Sequence, residues 1–267
     1  MKTHRIKAHF THRDLVQPTN PVEVILIGAG GTGSQVLTAL ARMNHTLNTL
    51  AHAGLRVTLW DDDTVSPANL GRQLFADCEL GLHKAVALIN RCNRFFGTDW
   101  KAVTQKFEAA PNGDKRAQNT AAVYITCVDT VASRFEIAGM LAALNTEKQY
   151  RNTPKYWMDF GNSRASGQLI LSTIGTIKQP VTKKFETIAT LPFVTEEFGA
   201  LLRQSESGDN TPSCSLAEAL EKQDLFINST LAQMGGSLLW SLFHQGMTRH
   251  RGFFLNLADF RCVPIAV

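Results

Sequence analysis

A glycine-rich turn stands between an apolar segment and a helical segment near the start of this 267-residue chain. The turn reads Gly28-Ala-Gly-Gly-Thr-Gly33 and follows the apolar run 22–27. Glycines at such a turn let the backbone approach a phosphate, and the following helix N-terminus supplies N–H donors and a positive dipole end. The context therefore favours a phosphate loop, made by Gly28, Gly30, Gly31 and Gly33, over a simple tight turn.

Three aspartates, Asp61-Asp-Asp63, end the next apolar segment, residues 55–60. An acid at this place in a nucleotide-binding unit accepts hydrogen bonds from ribose hydroxyls. Asp61 is the candidate for this role and Asp63 the alternative, although such a run is also typical of a solvated turn. Asp61 lies farther from the glycines than the roughly 20 residues usual in nicotinamide-binding proteins, which predicts an extended first helix.

Cationic and amide side chains come next, within Asn69-Leu-Gly-Arg-Gln73 and at Lys84. Breaking a phosphoanhydride spreads negative charge over phosphate oxygens. Arg72 can meet that charge with a forked donor and Lys84 with a point charge, while Asn69 and Gln73 add neutral donors. Each cation alone is equally well explained as a surface charge, but the ordered set favours phosphate chemistry.

Asp129 follows a further apolar segment, residues 121–127. Its carboxylate is a hard oxygen ligand of the kind that Mg²⁺ prefers. A simpler interpretation is that Asp129 caps the next helix, whose start the pattern Ser133-Arg-Phe-Glu136 places at Ser133. Arg134, in the first turn of that helix, fits either a structural ion pair or a nucleotide contact.

Alternating strand and helix patterns must position these side chains. Over about residues 20–150 they predict an α/β fold with a doubly wound, Rossmann-like and mostly parallel sheet. The expected strands are 22–27, 55–60 and 121–127, and the expected helices are 33–50, 83–96 and the segment from Ser133 onward.

The second half of the chain adds C-terminal strands and helices to this layer. The expected strands are 157–161, 167–173 and 252–260, and an apolar stripe predicts a helix through Ile227, Leu231, Met234, Leu238 and Leu242. We expect a single integrated domain over residues 1–267. Its expected parts are an irregular N-terminal arm 1–20, a nucleotide-binding half 21–150, and a second half 151–267 with a crossing loop at about 175–214.

Composition excludes several other classes of protein. The net charge is only +4 and no block of five Lys or Arg residues occurs, so the charge does not call for nucleic acid as a partner. No run of eighteen apolar residues predicts a membrane span. Five cysteines without a C-x-x-C pair disfavour a disulfide scaffold and a four-cysteine zinc site. The charged start lacks a secretory signal pattern, and a cytoplasmic enzyme is expected; a transit peptide is the alternative, because the first acidic residue is Asp14.

The motifs taken together resemble the ThiF/MoeB/HesA superfamily, the bacterial relatives of ubiquitin-activating enzymes. The resemblance covers about residues 22–172, and the segment Pro212–Leu220 with Ile227-Asn228 looks like the ThiF-type member of plasmid-associated PRTRC cassettes. The motifs that carry the superfamily resemblance are Gly28–Gly33, Asp61–Val65, Asn69–Gln73, Lys84, Cys127–Arg134, Asp159–Gly161 and Gly167-Gln168.

The resemblance implies an activity, cofactors and partners. Members bind ATP and Mg²⁺ and adenylate the C-terminal carboxylate of a small ubiquitin-like or sulfur-carrier protein. They are commonly homodimers, and an arginine near the start of the partner subunit often completes the site. Arg5 and Arg13 are the candidates here, although a solvated arm explains both. Many relatives hold structural zinc through two C-x-x-C pairs, which this chain lacks, so no zinc is expected.

Some relatives pass the acyl group to a cysteine, and Cys214 is the candidate nucleophile. It follows a polar loop and precedes the capping-box pattern Ser215-Leu-Ala-Glu218. A helix N-terminus at that place would stabilise a thiolate. An inert cysteine packed at the helix entry, or the remnant of a lost zinc site, are the alternatives.

Two other functions fit parts of the sequence. A nicotinamide-dependent oxidoreductase explains the glycines and Asp61 but leaves Arg72 and Lys84 without a role. A non-catalytic binding module explains the fold but has no need of the cations or of Asp129. ATP-dependent adenylation uses all of them.

Overall fold

An eight-stranded sheet forms the centre of the fold in a computed structural model that describes residues 5–108, 120–146, 153–205 and 223–267. Its strand order is 11-10-7-6-5-2-3-4, numbered along the chain. Strands 2 to 6 pair in parallel and strands 7, 10 and 11 in antiparallel. The strands are β1 (Ile6–Phe10), β2 (Val22–Ile27), β3 (Leu55–Trp60), β4 (Lys101–Val103), β5 (Val123–Thr126), β6 (Tyr156–Asn162), β7 (Ser166–Thr173), β8 (Phe185–Thr187), β9 (Met247–Thr248), β10 (His250–Asn256) and β11 (Arg261–Ala266).

Helices cover both faces of this sheet, which confirms the doubly wound α/β architecture. Successive residues of a strand point to opposite faces. Leu26 of β2 accordingly packs among residues of α2, α3 and α7, whereas Ile25 packs among residues of α4 and α6. None of the described helices is long and apolar enough to cross a membrane. The helices are α1 (Arg13–Val16), α2 (Gly31–Thr49), α3 (Lys84–Phe96), α4 (Val131–Thr146), α5 (Val194–Glu197), α6 (Gly199–Ser205) and α7 (Ile227–Trp240).

The strand order reverses direction at β2. The chain adds β3 and β4 on one side of β2 and then crosses to add β5 and β6 on the other side. Parallel α/β sheets bind ligands at the carboxyl ends of the strands beside such a reversal. The crevice above β2 and β5 is therefore where the fold places a ligand.

The predicted strands and helices up to residue 173 are confirmed, with small differences at their ends. The first helix begins at Gly31 rather than at residue 33. The helix expected from Ser133 begins at Val131, because the Thr130 hydroxyl rather than Ser133 takes the capping position. Thr130 Oγ1 accepts a hydrogen bond from the Ser133 N–H at 3.2 Å.

The N-terminal segment, expected to be irregular, contains β1 and α1. β1 pairs in parallel with β8 and in antiparallel with β9, which makes a separate three-stranded sheet. His9 is buried in this sheet, where its ring contacts the Ile188 carbonyl oxygen at 2.7 Å and the Tyr156 hydroxyl at 2.9 Å. The pairing of β1 with β8 joins residues 179 positions apart, and that with β9 joins residues still farther apart, which no local pattern reveals.

The segment expected as a crossing loop at about 175–214 contains β8, α5 and α6 in its described part. Three further strands, β4, β9 and β11, also escaped prediction. β4 has three residues with no apolar run, and β11 is mostly exposed. The expected strand 252–260 is β10, which begins at His250 and ends at Asn256, before a turn leads into β11.

Candidate active site

The glycine turn lies at the carboxyl end of β2 with no room for side chains at three of its positions. Gly28 has a φ of +95°, and a Cβ there would lie 2.6 Å from the Cys127 carbonyl oxygen. A Cβ on Gly33 would lie 1.9 Å from the Gly28 carbonyl oxygen, and one on Gly31 would lie 2.5 Å from the Asn228 side chain. The turn is therefore packed between β5 and α7, while a Cβ on Gly30 would meet open space.

A cavity of about 460 Å³ opens above this turn at the carboxyl ends of β2, β3 and β5. One part of its wall is apolar, and the side chains of that part belong to the core between the sheet and α4. The opposite part is polar and comes from the glycine turn, the segment 61–84 and the start of α7. The apolar wall is formed by Ile27, Trp60, Phe107, Val128, Ile137 and Met140, and the polar wall includes Gly28, Gly30, Gly31, Asp61, Asp63, Arg72, Gln73, Lys84 and Asn228.

Asp61 stands beside the glycine turn and is held by two backbone donors. Its Oδ2 accepts the Ala29 N–H at 2.7 Å, and its Oδ1 accepts the Asp63 N–H at 3.1 Å. Burial raises the pKa of the Asp61 carboxyl above its ordinary value, opposed by the hydrogen bond from Ala29 and by the charge of Lys84. Each carboxylate oxygen has a further lone pair, so Asp61 can still accept from a ligand hydroxyl.

The two predicted cations differ in their partners. Lys84, the first residue of α3, donates to Asp63 Oδ2 at 2.8 Å, and its side chain is only 9% exposed. Arg72 is half-buried and has no acidic partner within the described ranges; its Nη1 donates to the neutral Gln223 Oε1 at 2.6 Å. Burial lowers the pKa of the Arg72 guanidinium. Asp63 is thus engaged by Lys84, whereas no carboxylate among the described residues compensates the charge of Arg72.

The remaining predicted residues lie in three different situations. Gln73 lines the cavity, and its Oε1 is buried without a hydrogen-bond partner among the described residues. Asn69 is outside the cavity wall, because its Oδ1 accepts from the Ser66 N–H and hydroxyl and so closes a short turn. Asp129 lines the cavity and is exposed. Gly33 packs closely against the Gly28 carbonyl group within the turn and does not line the cavity.

The cavity wall includes four linked polar residues to which the sequence assigned no role: Thr32, Asn162, Gln223 and Asn228. Asn228 Oδ1 accepts from Thr32 Oγ1 at 2.9 Å and from Asn162 Nδ2 at 2.6 Å. Asn228 Nδ2 donates in turn to Gln223 Oε1 at 3.0 Å. The amide chain therefore joins α2, β6 and α7 across the cavity. Uncharged polar side chains as far apart as Thr32 and Asn228, 196 positions, have no spacing signal; the only hint was the Ile227-Asn228 pair.

A buried ion pair fixes the turn that carries Asp129. Arg134 Nε donates to Asp159 Oδ2 at 3.1 Å, and its Nη2 donates to the Val128 and Phe160 carbonyl oxygens. Burial raises the pKa of the Asp159 carboxyl, and the charge of Arg134 opposes this rise. Of the two roles predicted for Arg134, the structure therefore supports the structural ion pair over the nucleotide contact. It holds the end of β5 where Asp129 faces the cavity.

Neither of the two arginine candidates lines the cavity. Cys214 lies outside the described residues, as does the capping pattern from Ser215. Arg5 donates to the Thr182 carbonyl oxygen at 3.3 Å on the small sheet, and the side chain of Arg13 is 91% exposed. Cys127 is partly buried and lines the cavity, and desolvation raises the pKa of its thiol far above the ordinary value, which disfavours a thiolate nucleophile there.

The reversed strand order, the packed glycine turn and the cavity above it define an α/β protein of the Rossmann-like class. A family model described as "ThiF family" matches residues 4–256 of the chain. The chain therefore belongs to the ThiF family.

Solved structures of two proteins share this fold. PaaA superposes with a TM-score of 0.57 at 13% identity over 92% of this chain and 64% of PaaA. The structure of E. coli MccB with AMPCPP and MccA superposes with a TM-score of 0.55 at 12% identity, over 92% of this chain and 63% of the MccB chain. The structure of E. coli MccB with ATP superposes with a TM-score of 0.53 at 12% identity, over 95% of this chain and 65% of the MccB chain. The chain spans less than two thirds of the length of each of these structures, and no curated protein sequence matches it.

Proposed function

We propose that this ThiF-family chain is an ATP-dependent adenylyltransferase. The observation that carries the proposal is Arg72, a half-buried cation that no described carboxylate neutralises, beside the glycine turn at the N-terminus of α2. Desolvation penalises such a charge, and an anion in the cavity would remove the penalty. Helix N-termini favour phosphate groups in particular.

ATP fits the two kinds of cavity wall. The glycine turn would hold the phosphates, Asp61 would accept from the ribose hydroxyls, and the apolar wall with Trp60 and Phe107 would cover the adenine ring. A nicotinamide dinucleotide would also use the turn and Asp61. It would leave Arg72 and Lys84 without a ligand, which is why ATP is preferred.

The chemistry that suits these residues is attack on the α-phosphate. A carboxylate oxygen of the acceptor forms a bond to the α-phosphorus while the bond to the bridging oxygen breaks, which gives an acyl-adenylate and pyrophosphate. Negative charge grows on the departing pyrophosphate. Arg72 and Lys84, held in place before the reaction, would stabilise that charge, and Gln73 would add a neutral donor.

Asp129 is the residue that would hold Mg²⁺. It fits a hard cation because its carboxylate is exposed in the cavity wall and is engaged by none of the described side chains. The described ranges contain no group of three or more acidic, histidine or cysteine side chains arranged for a metal. Such an ion would therefore rely on the phosphates and on water for its other ligands, where it would neutralise phosphate charge.

For the acceptor we propose the C-terminal carboxylate of a small ubiquitin-like or sulfur-carrier protein, as the motifs imply. The structure of E. coli MccB with AMPCPP and MccA, which is similar in fold to this chain, contains a nucleotide analogue together with a second component. We also propose that the protein is a cytoplasmic homodimer in which Arg5 or Arg13 reaches the site of the other subunit. Membership of the PRTRC subgroup is part of the same proposal.

Transfer of the acyl group to Cys214 is the optional second step of this proposal. The Cys214 thiolate would attack the carbonyl carbon of the adenylate, form a thioester and release AMP. Incubation with ATP, Mg²⁺ and carrier, followed by gels with and without reductant, tests it. A reductant-sensitive conjugate that persists in Cys214→Ala would place the thioester on another residue.

Calorimetric titration with ATP and Mg²⁺, and in parallel with NAD(H), tests the proposed ligand. We expect saturable binding of ATP and weaker or no binding of NAD(H). Tight binding of NAD(H) without binding of ATP would replace the proposal by the oxidoreductase alternative.

A further inference from the structure

The contact between Arg72 and Gln223 has an unusual electrostatic character for a half-buried arginine. The acceptor at 2.6 Å is a neutral amide oxygen, whereas buried cations are generally paired with a carboxylate. Lys84, another cation of the cavity wall, follows that rule, since it is paired with Asp63. Gln223 therefore fixes the direction of the guanidinium without neutralising its charge.

Gln223 is itself held from two sides. Its Oε1 also accepts from Asn228 Nδ2 at 3.0 Å, and its Nε2 donates to the Ser163 carbonyl oxygen at 3.3 Å. Asn228 is fixed in turn by Thr32, in the first turn of α2, and by Asn162. The orientation of Arg72 is thereby tied to the helix start that would hold the phosphates.

We propose that Gln223 is a positioning residue for Arg72: it aims the guanidinium at the leaving pyrophosphate and, being neutral, leaves the charge available to it. This inference rests on the proposed function. Asn228 extends the same device by holding the Gln223 amide so that its oxygen, rather than its nitrogen, faces Arg72. A carboxylate at position 223 would keep the shape but give Arg72 a permanent counter-ion.

Pyrophosphate exchange with ATP, Mg²⁺ and the carrier protein that supports exchange in wild type, measured for Gln223→Ala, Arg72→Ala and the double variant, tests this role of Gln223. Gln223→Ala should lower kcat roughly tenfold, the equivalent of one hydrogen bond to a charged group, with little change in KM for ATP. The double variant should be no slower than Arg72→Ala, because Gln223 acts only through Arg72. Gln233→Ala, which removes a glutamine–arginine contact with Arg42 on the exposed side of α7, is the matched control and should behave as wild type.

Binding of inorganic pyrophosphate, followed by calorimetry, gives a readout that does not depend on turnover. Gln223→Glu should bind pyrophosphate at least about tenfold more weakly than wild type. Unchanged affinity in Gln223→Glu, or losses in Gln223→Ala and Arg72→Ala that multiply in the double variant, would overturn the inference. If wild type binds neither ATP nor pyrophosphate, the proposed function itself fails, and the two failures are thus distinguishable.

Discussion

Asp61 is the single residue on which recognition of the ribose depends in this account. Replacing Asp61 by Ala should weaken ATP binding by about 1–3 kcal/mol, since the ribose hydroxyls would lose their acceptor and the Ala29 N–H would lose its partner. Calorimetry measures this loss. Asp77→Ala, at an exposed aspartate of the same region, serves as the control. An unchanged dissociation constant in Asp61→Ala would transfer the ribose role to Asp63.

Arg72 and Lys84 are expected to act on the departing pyrophosphate more than on bound ATP. Truncation of either to Ala should lower the adenylation rate by roughly 10²–10³, the scale for loss of one preorganised donor, with a much smaller loss of ATP affinity. Rapid-quench kinetics beside equilibrium titration separates the two effects. Arg94→Ala, at an exposed arginine of α3, should react as wild type. Equal losses in affinity and rate would instead mean that the cations only anchor ATP.

Within the glycine turn, two glycines should respond differently when each is replaced by alanine. Gly33→Ala should destabilise the protein by about 1–3 kcal/mol or more, because its Cβ would lie 1.9 Å from the Gly28 carbonyl oxygen and the turn must shift. Gly30→Ala should unfold at the wild-type temperature, because its Cβ meets open space. Thermal denaturation without ligand compares them. Equal melting temperatures for both variants would contradict the packed geometry of the turn.

The small sheet around β1 should weaken in acid. Burial lowers the pKa of His9 below its usual value of 6.5, with the hydrogen bond to Ile188 opposing. The unfolded chain therefore takes up the proton first, so stability is complete above about pH 6.5 and is lost as the pH falls below it, by at most about 1.4 kcal/mol per pH unit. Denaturant unfolding between pH 8 and 5 measures this loss.

His9→Gln should show a smaller loss of stability between pH 8 and 5 than wild type, whatever its stability at pH 8. His12, whose pKa burial also lowers, keeps part of the pH dependence in the variant. His45→Gln, at an exposed histidine of α2, should retain the full dependence. Parallel pH profiles for wild type and His9→Gln would show that His9 is not the group responsible.

The sequence predicted the elements whose signals are local. Apolar β-branched runs predicted β2, β3 and β5, and a helical stripe predicted α2. The apolar residues that form each of these patterns are the ones that the element buries. The cavity residues from Gly28 to Lys84 could be grouped because carboxyl ends of parallel strands meet at one edge. The β1–β8 pairing and the contact of Asn228 with Thr32 could not be predicted, because they join residues far apart in the chain and no local spacing pattern indicates such contacts.

At the scale of the whole molecule, both halves of the chain build one cavity. The first half supplies the glycine turn, Asp61 and the two cations, and the second supplies Asn162, Gln223 and Asn228. The amide chain links them, so a ligand held by α2 also contacts residues fixed by α7. We expect the acceptor carboxylate to approach this shared wall.

The most direct test of the account is ATP–pyrophosphate exchange in the presence of Mg²⁺ and the small proteins encoded next to this chain's gene. Each is supplied with its free C-terminal carboxylate and, separately, with an amidated C-terminus. We expect exchange to appear with one of the free carriers, to disappear when that carrier is amidated, and to be lost in Arg72→Ala. Exchange that survives amidation, or ATP binding without exchange with any of these carriers, would contradict adenylation of a carrier carboxylate.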